Sequence, residues 1–506
     1  MSKFDVFVQG VRESMGMDSI SRDDLTLDSS KPTKADISTK DQVVNAILKR
    51  GVEVTEEHLP DIMEEMKAYF AEYKNGDYFA DLKNQDYYRL LDLRDNENAR
   101  VVVVGDIHCD YYSLAALLLK LSVSEYDYFE NAYFVFLGDY LDRGSALFEP
   151  LLLLIDLKRI LGNRLIMLRG NHELISYNKE KQELESRVLP QQSCPCLNEY
   201  CGTDKKFLED FGYFYKTLPT YVYLKIANQN ILLTHAAVPR MKFFDIFHFD
   251  QTTGAIEFDT NFEYEQFNLA KENTFDDKIT SMQHRIDDIL LNYRKQILYD
   301  MIWGDPSHDK EKYQVSGRFE FGSDQFEAYA VKNNISRLFR SHEPISKGFE
   351  SFYGNRLYTI FSTGGNMNNQ AGYADVEPAF AVIKEDGTCM LENSYTFQVV
   401  TGDVVVTVNN LFSDKFLVAK QRYSLPLNNE FVCSEEKALY IEAVYEKLKK
   451  GFEPQEEVIK DEKTDDVVEN GDDGKIEEPV VVEEESTKDE TDDLKEKIEK
   501  EKSQIN

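Results

Sequence analysis

The strongest constraint on this 506-residue chain is a stretch from Gly105 to Glu173 in which three polar signatures each follow a hydrophobic run. They read Gly105-Asp106-Ile107-His108, Gly138-Asp139-Tyr140-Leu141-Asp142-Arg143-Gly144 and Arg169-Gly170-Asn171-His172-Glu173. The runs before them, residues 101–104, 133–137 and 165–168, have the length and the β-branched, aromatic or aliphatic content of buried strands. A glycine at each exit lets the backbone turn sharply, so the polar residues gather at strand ends, where ligands of open sheets bind. Between the signatures, residues 112–121 and 146–160 read as helices, the second stopped by Gly162. Strand, helix, strand, helix, strand is the alternation of an α/β layered sandwich.

Asp106, His108, Asp139 and Asn171 carry oxygen or imidazole donors, and two further histidines have similar settings: His235 after the run 231–234 and His342 after 338–341. Carboxylate, amide and imidazole without thiolate suit manganese, iron, zinc or magnesium. Six donors are too many for one tetrahedral ion and about right for two ions sharing a carboxylate. Two metals about 3.5–4 Å apart turn a bridging water into hydroxide and clamp the attacking and leaving oxygens of an in-line displacement. Arg143 offers a planar fork that fits phosphate. His172, beside Asn171, is placed to protonate a leaving alkoxide, with Asp142 the nearest carboxylate to fix its tautomer. A lone Gly-Asp is ordinarily a turn and a lone histidine ordinarily structural, but the ordered series outweighs both. Together the residues describe phosphate-ester hydrolysis without a covalent intermediate.

This series, with the later Thr234-His235 and Arg340-Ser341-His342-Glu343, resembles the PPP family of metallophosphoesterases, which includes the eukaryotic serine/threonine protein phosphatases. The resemblance runs from about residue 60 to 400. It implies a calcineurin-like β-sandwich flanked by helices, one metal on Asp106, His108 and Asp139, and another on Asp139, Asn171, His235 and His342. It also implies phosphate bound by Arg143 and Asn171, with His172 and Asp142 as the general acid pair. Several positions depart from the pattern: Cys109-Asp110 in the first signature, Ala236-Ala237 after His235, and Ser362-Thr363-Gly364-Gly365-Asn366 where a proline and a closing tyrosine are usual. Arg318, ahead of Phe321-Gly322, is the candidate second phosphate-binding arginine, at shorter spacing than usual. The Ile302-Trp303-Gly304-Asp305-Pro306 turn and the Tyr111-Tyr112-Ser113-Leu114 continuation favour phosphoserine or phosphothreonine in proteins as substrate. A hydrolase of dinucleoside polyphosphates on the same fold, or a silent scaffold, are the rival readings.

A net charge of −34 disfavours nucleic acid and anionic membranes and favours basic protein partners or local attraction of divalent cations, whereas a phosphoprotein substrate and regulatory subunits are what the resemblance implies. No secretory segment opens the sequence, no apolar run reaches membrane-spanning length, and six scattered cysteines suit a reducing compartment. The expected location is therefore cytoplasmic, with the nucleus also open. Five regions are expected: a flexible arm at 1–40, a helical lead-in at 41–95, a catalytic domain at 96–410, a C-terminal extension at 411–452, and a disordered tail at 453–506. The catalytic domain carries insertions near 179–206 and 240–280. The lead-in holds a helix capped by Asp41 and a second after Pro60, with Ile62, Met66, Tyr69 and Tyr73 on one face for core packing. The first insertion, with Cys194, Cys196 and Cys201, reads as a surface excursion, and the second as acidic and rich in phenylalanine. A further helix spans about 281–301. Residues 357–362, 379–383, 389–392 and 398–408 read as the strands of a second sheet. The extension carries a helix that Ser434 can cap. The tail has 22 acidic residues against 8 lysines, too little apolar surface to fold alone.

Overall fold

In the computed structural model the described residues are 38–52, 59–75, 87–144, 148–188, 191–259, 279–312, 318–365, 373–401, 404–408, 429–435, 437 and 441. The expected arm, apart from residues 38–40, and the acidic tail lie outside them, as does most of the helix expected after Ser434. Ser434 Oγ does accept the Lys437 amide at 3.3 Å, and Ile441 is buried.

Two helices lead in, α1 (Thr39–Val52) and α2 (Leu59–Asn75), followed by β1 (Tyr88–Asp92) and β2 (Arg100–Val104). Then come α3 (Tyr111–Val123), β3 (Ala132–Phe136), α4 (Glu149–Leu161) and β4 (Leu165–Met167). A hairpin of β5 (Ile175–Asn178) and β6 (Glu183–Ser186) precedes α5 (Ser193–Cys201), α6 (Lys205–Thr217), β7 (Tyr221–Ile226) and β8 (Gln229–Thr234). The chain continues through β9 (Phe247–Phe249), β10 (Ile256–Phe258), α7 (Ile279–Asp300), β11 (Asp305–Pro306), β12 (Glu320–Phe321) and α8 (Ser323–Lys332). Among the described residues there follow β13 (Arg337–Arg340), β14 (Phe349–Phe352), β15 (Leu357–Ile360), β16 (Ala379–Ile383), β17 (Cys389–Asn393), β18 (Phe397–Thr401), β19 (Val404–Val408) and β20 (Val432–Ser434).

Two sheets carry the site. One has the order β17-β16-β2-β3-β4 and the other β1-β7-β8-β13-β15-β14. The β2 strand shows why they stack: Val101 and Val103 point into the core between the sheets with Leu224, Leu233, Phe339 and Ile360, while Val102 and Val104 face the helices. Strands covered on both faces become continuous apolar runs, and β2 is one. On the outer side of the first sheet lie α1 to α4 and α6, and on that of the second lie α8 and the end of α7. The result is a β-sandwich between helical layers, an α/β fold.

Several expectations change in detail. Ser38, not Asp41, caps α1, since its hydroxyl accepts the Asp41 amide at 3.2 Å. Met66 and Tyr69 are buried with Met63 and Phe70, which packs edge-on to Phe211 and Phe214, so this face of α2 is core. The Ile62 and Tyr73 side chains lie outside the described ones. The stretch 179–206 is more than a surface loop, because α5 buries Cys194, Leu197 and Cys201 in the helical core. Phe243, Phe247, Phe249 and Phe258 of the second insertion fold back into the body. The late strands do not form one second sheet. β14 and β15 join it, whereas β16 returns antiparallel to β2 in the first, and β18, β19 and β20 form a separate sheet. All five side chains of β16 are buried, and an inner position beside β2 covers both its faces.

Candidate active site

The sandwich collects five strand ends at one edge. Asp106 follows β2, Asp139 follows β3, Asn171 follows β4, His235 follows β8 and His342 follows β13. Because β2, β3 and β4 are parallel, as are β8 and β13, their carboxyl ends point the same way within each sheet. The turns are tight: a side chain on Gly138 would run into Gly170, and one on Gly170 into the Asp139 carboxylate. Six non-glycine residues of the site, His108, Cys109, Asp139, Asp142, Arg143 and His342, have positive φ between 44° and 76°. Such strain persists where packing over-determines it, and it clusters at functional sites.

Asp139 lies at the centre. Its carboxylate is 3.6 Å from His108 Nε2 and 3.4 Å from His235 Nε2. Ligand atoms of His108, Asp139 and His172 fall within 4.8 Å of one another, and so do those of Asp139, His235 and His342. Asp106 adds a buried oxygen, Oδ2, that has no hydrogen-bond partner and stands 3.4 Å from His108 Nε2. Its other oxygen is held by the Ser341 hydroxyl at 2.5 Å and the His342 amide at 3.1 Å. His108 Nδ1 lies 3.0 Å from the Leu141 carbonyl and His235 Nδ1 3.2 Å from that of Leu137. Donation to those carbonyls leaves both Nε2 lone pairs aimed inward, the arrangement that orients metal-binding imidazoles. The end of the Asn171 amide is 3.0 Å from His235 Nε2, 3.3 Å from His342 Nδ1 and 2.9–3.0 Å from the Asp139 oxygens. With its nitrogen there it donates to them; with its oxygen there it joins them around a cation. A buried set of acceptors with an orphaned carboxylate oxygen fits divalent metal ions.

Electrostatics agree with that fit. Burial would raise the Asp139 carboxyl, but His235, His172 and His108 outweigh it and hold it well below the usual range. Burial pushes His342 well down, helped by His235, Arg318 and Arg340, so its imidazole is neutral and able to coordinate. Glu173, buried beneath the site, accepts the amides of Asp139, Tyr140 and Gly170 at 2.7–2.9 Å and so joins the loops after β3 and β4. Burial and the nearby Asp139 push its carboxyl up.

Beside the donors, His172 Nδ1 is 2.7 Å from Asp142 Oδ2. Asp142 Oδ1 accepts the amides of Gln192 and Ser193 at 2.9 and 2.8 Å. Burial would raise the Asp142 carboxyl, but these bonds and that from His172 keep it below the usual range. An ionised Asp142 fixes the proton on Nδ1 and turns Nε2 toward Asp139, 4.0 Å away, and Arg143 Nη2, 3.5 Å away. Arg318 stands apart. It is bonded to Asp305, which also takes Arg340 at 2.7 Å, and its charge acts on Asp106 and His342 without a direct bond to them. Trp303 meets His342 edge-on at 5.9 Å.

The roles of two residues, Asp110 and Tyr373, lie outside the sequence reading. Asp110, a departure from the usual pattern, caps α3 by accepting the Ser113 amide at 3.0 Å and takes the Thr363 hydroxyl at 2.8 Å, tying the closing segment to the first signature. An aspartate followed by an apolar helix was the available signal. Tyr373 lies on the site from beyond that segment, its ring stacked on His108 at 5.8 Å, and no motif marks it.

With this geometry in view, the family Calcineurin-like phosphoesterase matches residues 99–346. A "Probable serine/threonine-protein phosphatase" of Encephalitozoon cuniculi is 22% identical over 269 residues, which cover 52% of this chain and 47% of that protein. This chain thus spans about half the length of that relative. A solved protein serine/threonine phosphatase from Saccharomyces cerevisiae, described as similar to human phosphatase PP5, shares 18% identity at a TM-score of 0.44, covering 70% of this chain and 95% of its own. No helix among the described residues is long and apolar enough to cross a membrane. Strand-end donors on a two-sheet sandwich and the family match coincide over the same residues, and over 99–346 the chain is similar to the calcineurin-like phosphoesterases.

Proposed function

We propose that the chain is a dinuclear-metal serine/threonine protein phosphatase that transfers the phosphoryl group directly to water. The observation that carries this reading is His172: its Nδ1 is bonded to Asp142 and its Nε2 faces both Asp139 and Arg143. In this reading Asp106, His108 and Asp139 hold one cation, and Asp139, Asn171, His235 and His342 hold the other. When bound, the cations supply the charge that activates water and stabilises the phosphoryl oxygens. Arg143 grips the phosphate with its fork, Asn171 and Arg318 line its approach, and the His172 imidazolium, held by Asp142 at Nδ1, gives its Nε2 proton to the leaving serine or threonine oxygen. The similarity to a named serine/threonine phosphatase supports the protein substrate. Regulatory subunits and a cytoplasmic setting fit this reading.

The test is hydrolysis of a phosphothreonine peptide and of a dinucleoside tetraphosphate by manganese-loaded protein, each with an Asp106→Asn control. Peptide turnover that disappears in the control is expected. Turnover of the nucleotide alone would move the function to small phosphates, and two bound metals without turnover would indicate a scaffold.

A further inference from the structure

The Arg143 guanidinium is arranged as though one of its edges were reserved. Nη1 donates to the Tyr373 hydroxyl at 2.7 Å. Nη2 points toward His172 Nε2 at 3.5 Å, and Nε is buried without a hydrogen-bond partner. Nε and Nη2 form one edge of the fork, the edge that binds two oxygens of a phosphate side-on. A buried donor left unsatisfied is costly, so this one points to an absent acceptor. Tyr373 is itself fixed on three sides. Its ring stacks on His108 with an interplanar angle of 24° and meets Phe361 edge-on at 5.0 Å. Its carbonyl accepts the Gly365 and Val376 amides at 2.9 and 3.0 Å.

We infer that Tyr373 is a positioning residue for phosphate binding: its hydroxyl takes Nη1 and so presents the Nε–Nη2 edge of Arg143 to the phosphoryl group. Its ring closes the wall of the site over His108. An arginine with a long flexible stem loses less entropy on binding when already aimed, and Tyr373 supplies that aim from outside the signatures. The inference rests on the phosphate-ester reading of the site, but not on the substrate being a protein.

The experiment compares the full-length parent with Tyr373→Phe and Tyr373→Ala, all loaded with manganese. Inorganic phosphate binding is measured by calorimetry, together with kcat and KM for p-nitrophenyl phosphate and with metal content. For Tyr373→Phe the expected result is phosphate binding and KM weakened about tenfold or more, the scale of a bond to a charged group. Change in kcat should stay below about twofold and metal content should be unaltered, which a merely structural role would not produce. Phosphate binding within about twofold of the parent in Tyr373→Phe would overturn the inference. So would weakening seen in Tyr373→Ala alone, which would leave the ring as a wall and the hydroxyl without a role. If the parent binds phosphate but leaves phosphopeptide intact, and Tyr373→Phe still weakens phosphate, the protein-phosphatase reading falls and the role of Tyr373 stands.

Discussion

Asp139 faces His108, His172 and His235 at once, and the consequences of changing it follow from that position. A residue that bridges two metals cannot lose its charge without weakening both sites. Asp139→Asn is expected to remove both manganese ions together, as read by metal analysis after gel filtration, and loss of one alone would contradict the shared ligand. His172 makes the opposite prediction. His172→Asn should retain the metals but slow esters with poor leaving groups by about 100-fold or more, and p-nitrophenyl phosphate far less, because general acid catalysis matters only where the leaving oxygen needs a proton. Equal slowing of both would argue against that role. At this scale the sequence was largely readable, because each strand-end donor belongs to a short signature whose chemistry shows in its residue types. Tyr373 was not readable, since its place on His108 and Arg143 depends on a return of the chain with no local pattern. Arg318 was named from spacing, and what spacing could not reveal is its attachment to Asp305.

Among the elements, one arginine ties both lead-in helices to α4, beside their apolar packing on the core. Arg50 is fully buried, with Nε 2.7 Å from Asp156 on α4 and its two terminal nitrogens 2.7 and 2.6 Å from Glu65 on α2. Removing one partner of a buried pair strands the other, so Arg50→Ala is expected to cost about 3–5 kcal/mol in denaturant unfolding. The same network gives a pH signature. Burial would raise the Glu65 carboxyl, but the bonds and charge of Arg50, with Lys49, pull it down to about 2. A carboxyl depressed in the folded state stabilises fully above its unfolded pKa of about 4.5 and loses that contribution as pH falls through about 2. Melting temperature should therefore fall between those values, and Glu65→Gln should flatten this acid limb; an unchanged slope would deny the coupling. Helix periodicity made the Met66 and Tyr69 face visible, whereas Arg50 looks like any surface cation at the end of a short helix until α4 packs over it. Strand pairing was hidden for a related reason: β16 carries the composition of a buried strand, but composition does not say which sheet will cover it.

Over the whole molecule, among the described residues, the site joins two sheets that also meet through apolar packing and through the bonds Gln229 and Arg337 make to the Gly387 carbonyl. Asp106, His108, Asp139 and Asn171 come from the loops of one sheet, and His235 and His342 from the strand ends of the other. Divalent ions held among them would be cross-links between the layers as well as reagents, and ions that bind only the folded state stabilise it by mass action. At metal concentrations about a thousandfold above the dissociation constant that contribution is about 4 kcal/mol. Chelation is therefore expected to lower the melting temperature of the parent by several degrees, and added manganese to restore it. Asp139→Asn should melt at one temperature with or without chelator, because it has no metals to lose. A variant such as His172→Asn, which alters chemistry but not ligation, should keep the full metal-dependent shift. If the parent showed no shift while still binding two ions, the ions would bind the unfolded chain as well as the folded one, and the assignment of a site assembled by folding from both sheets, His235 and His342 included, would fall with it.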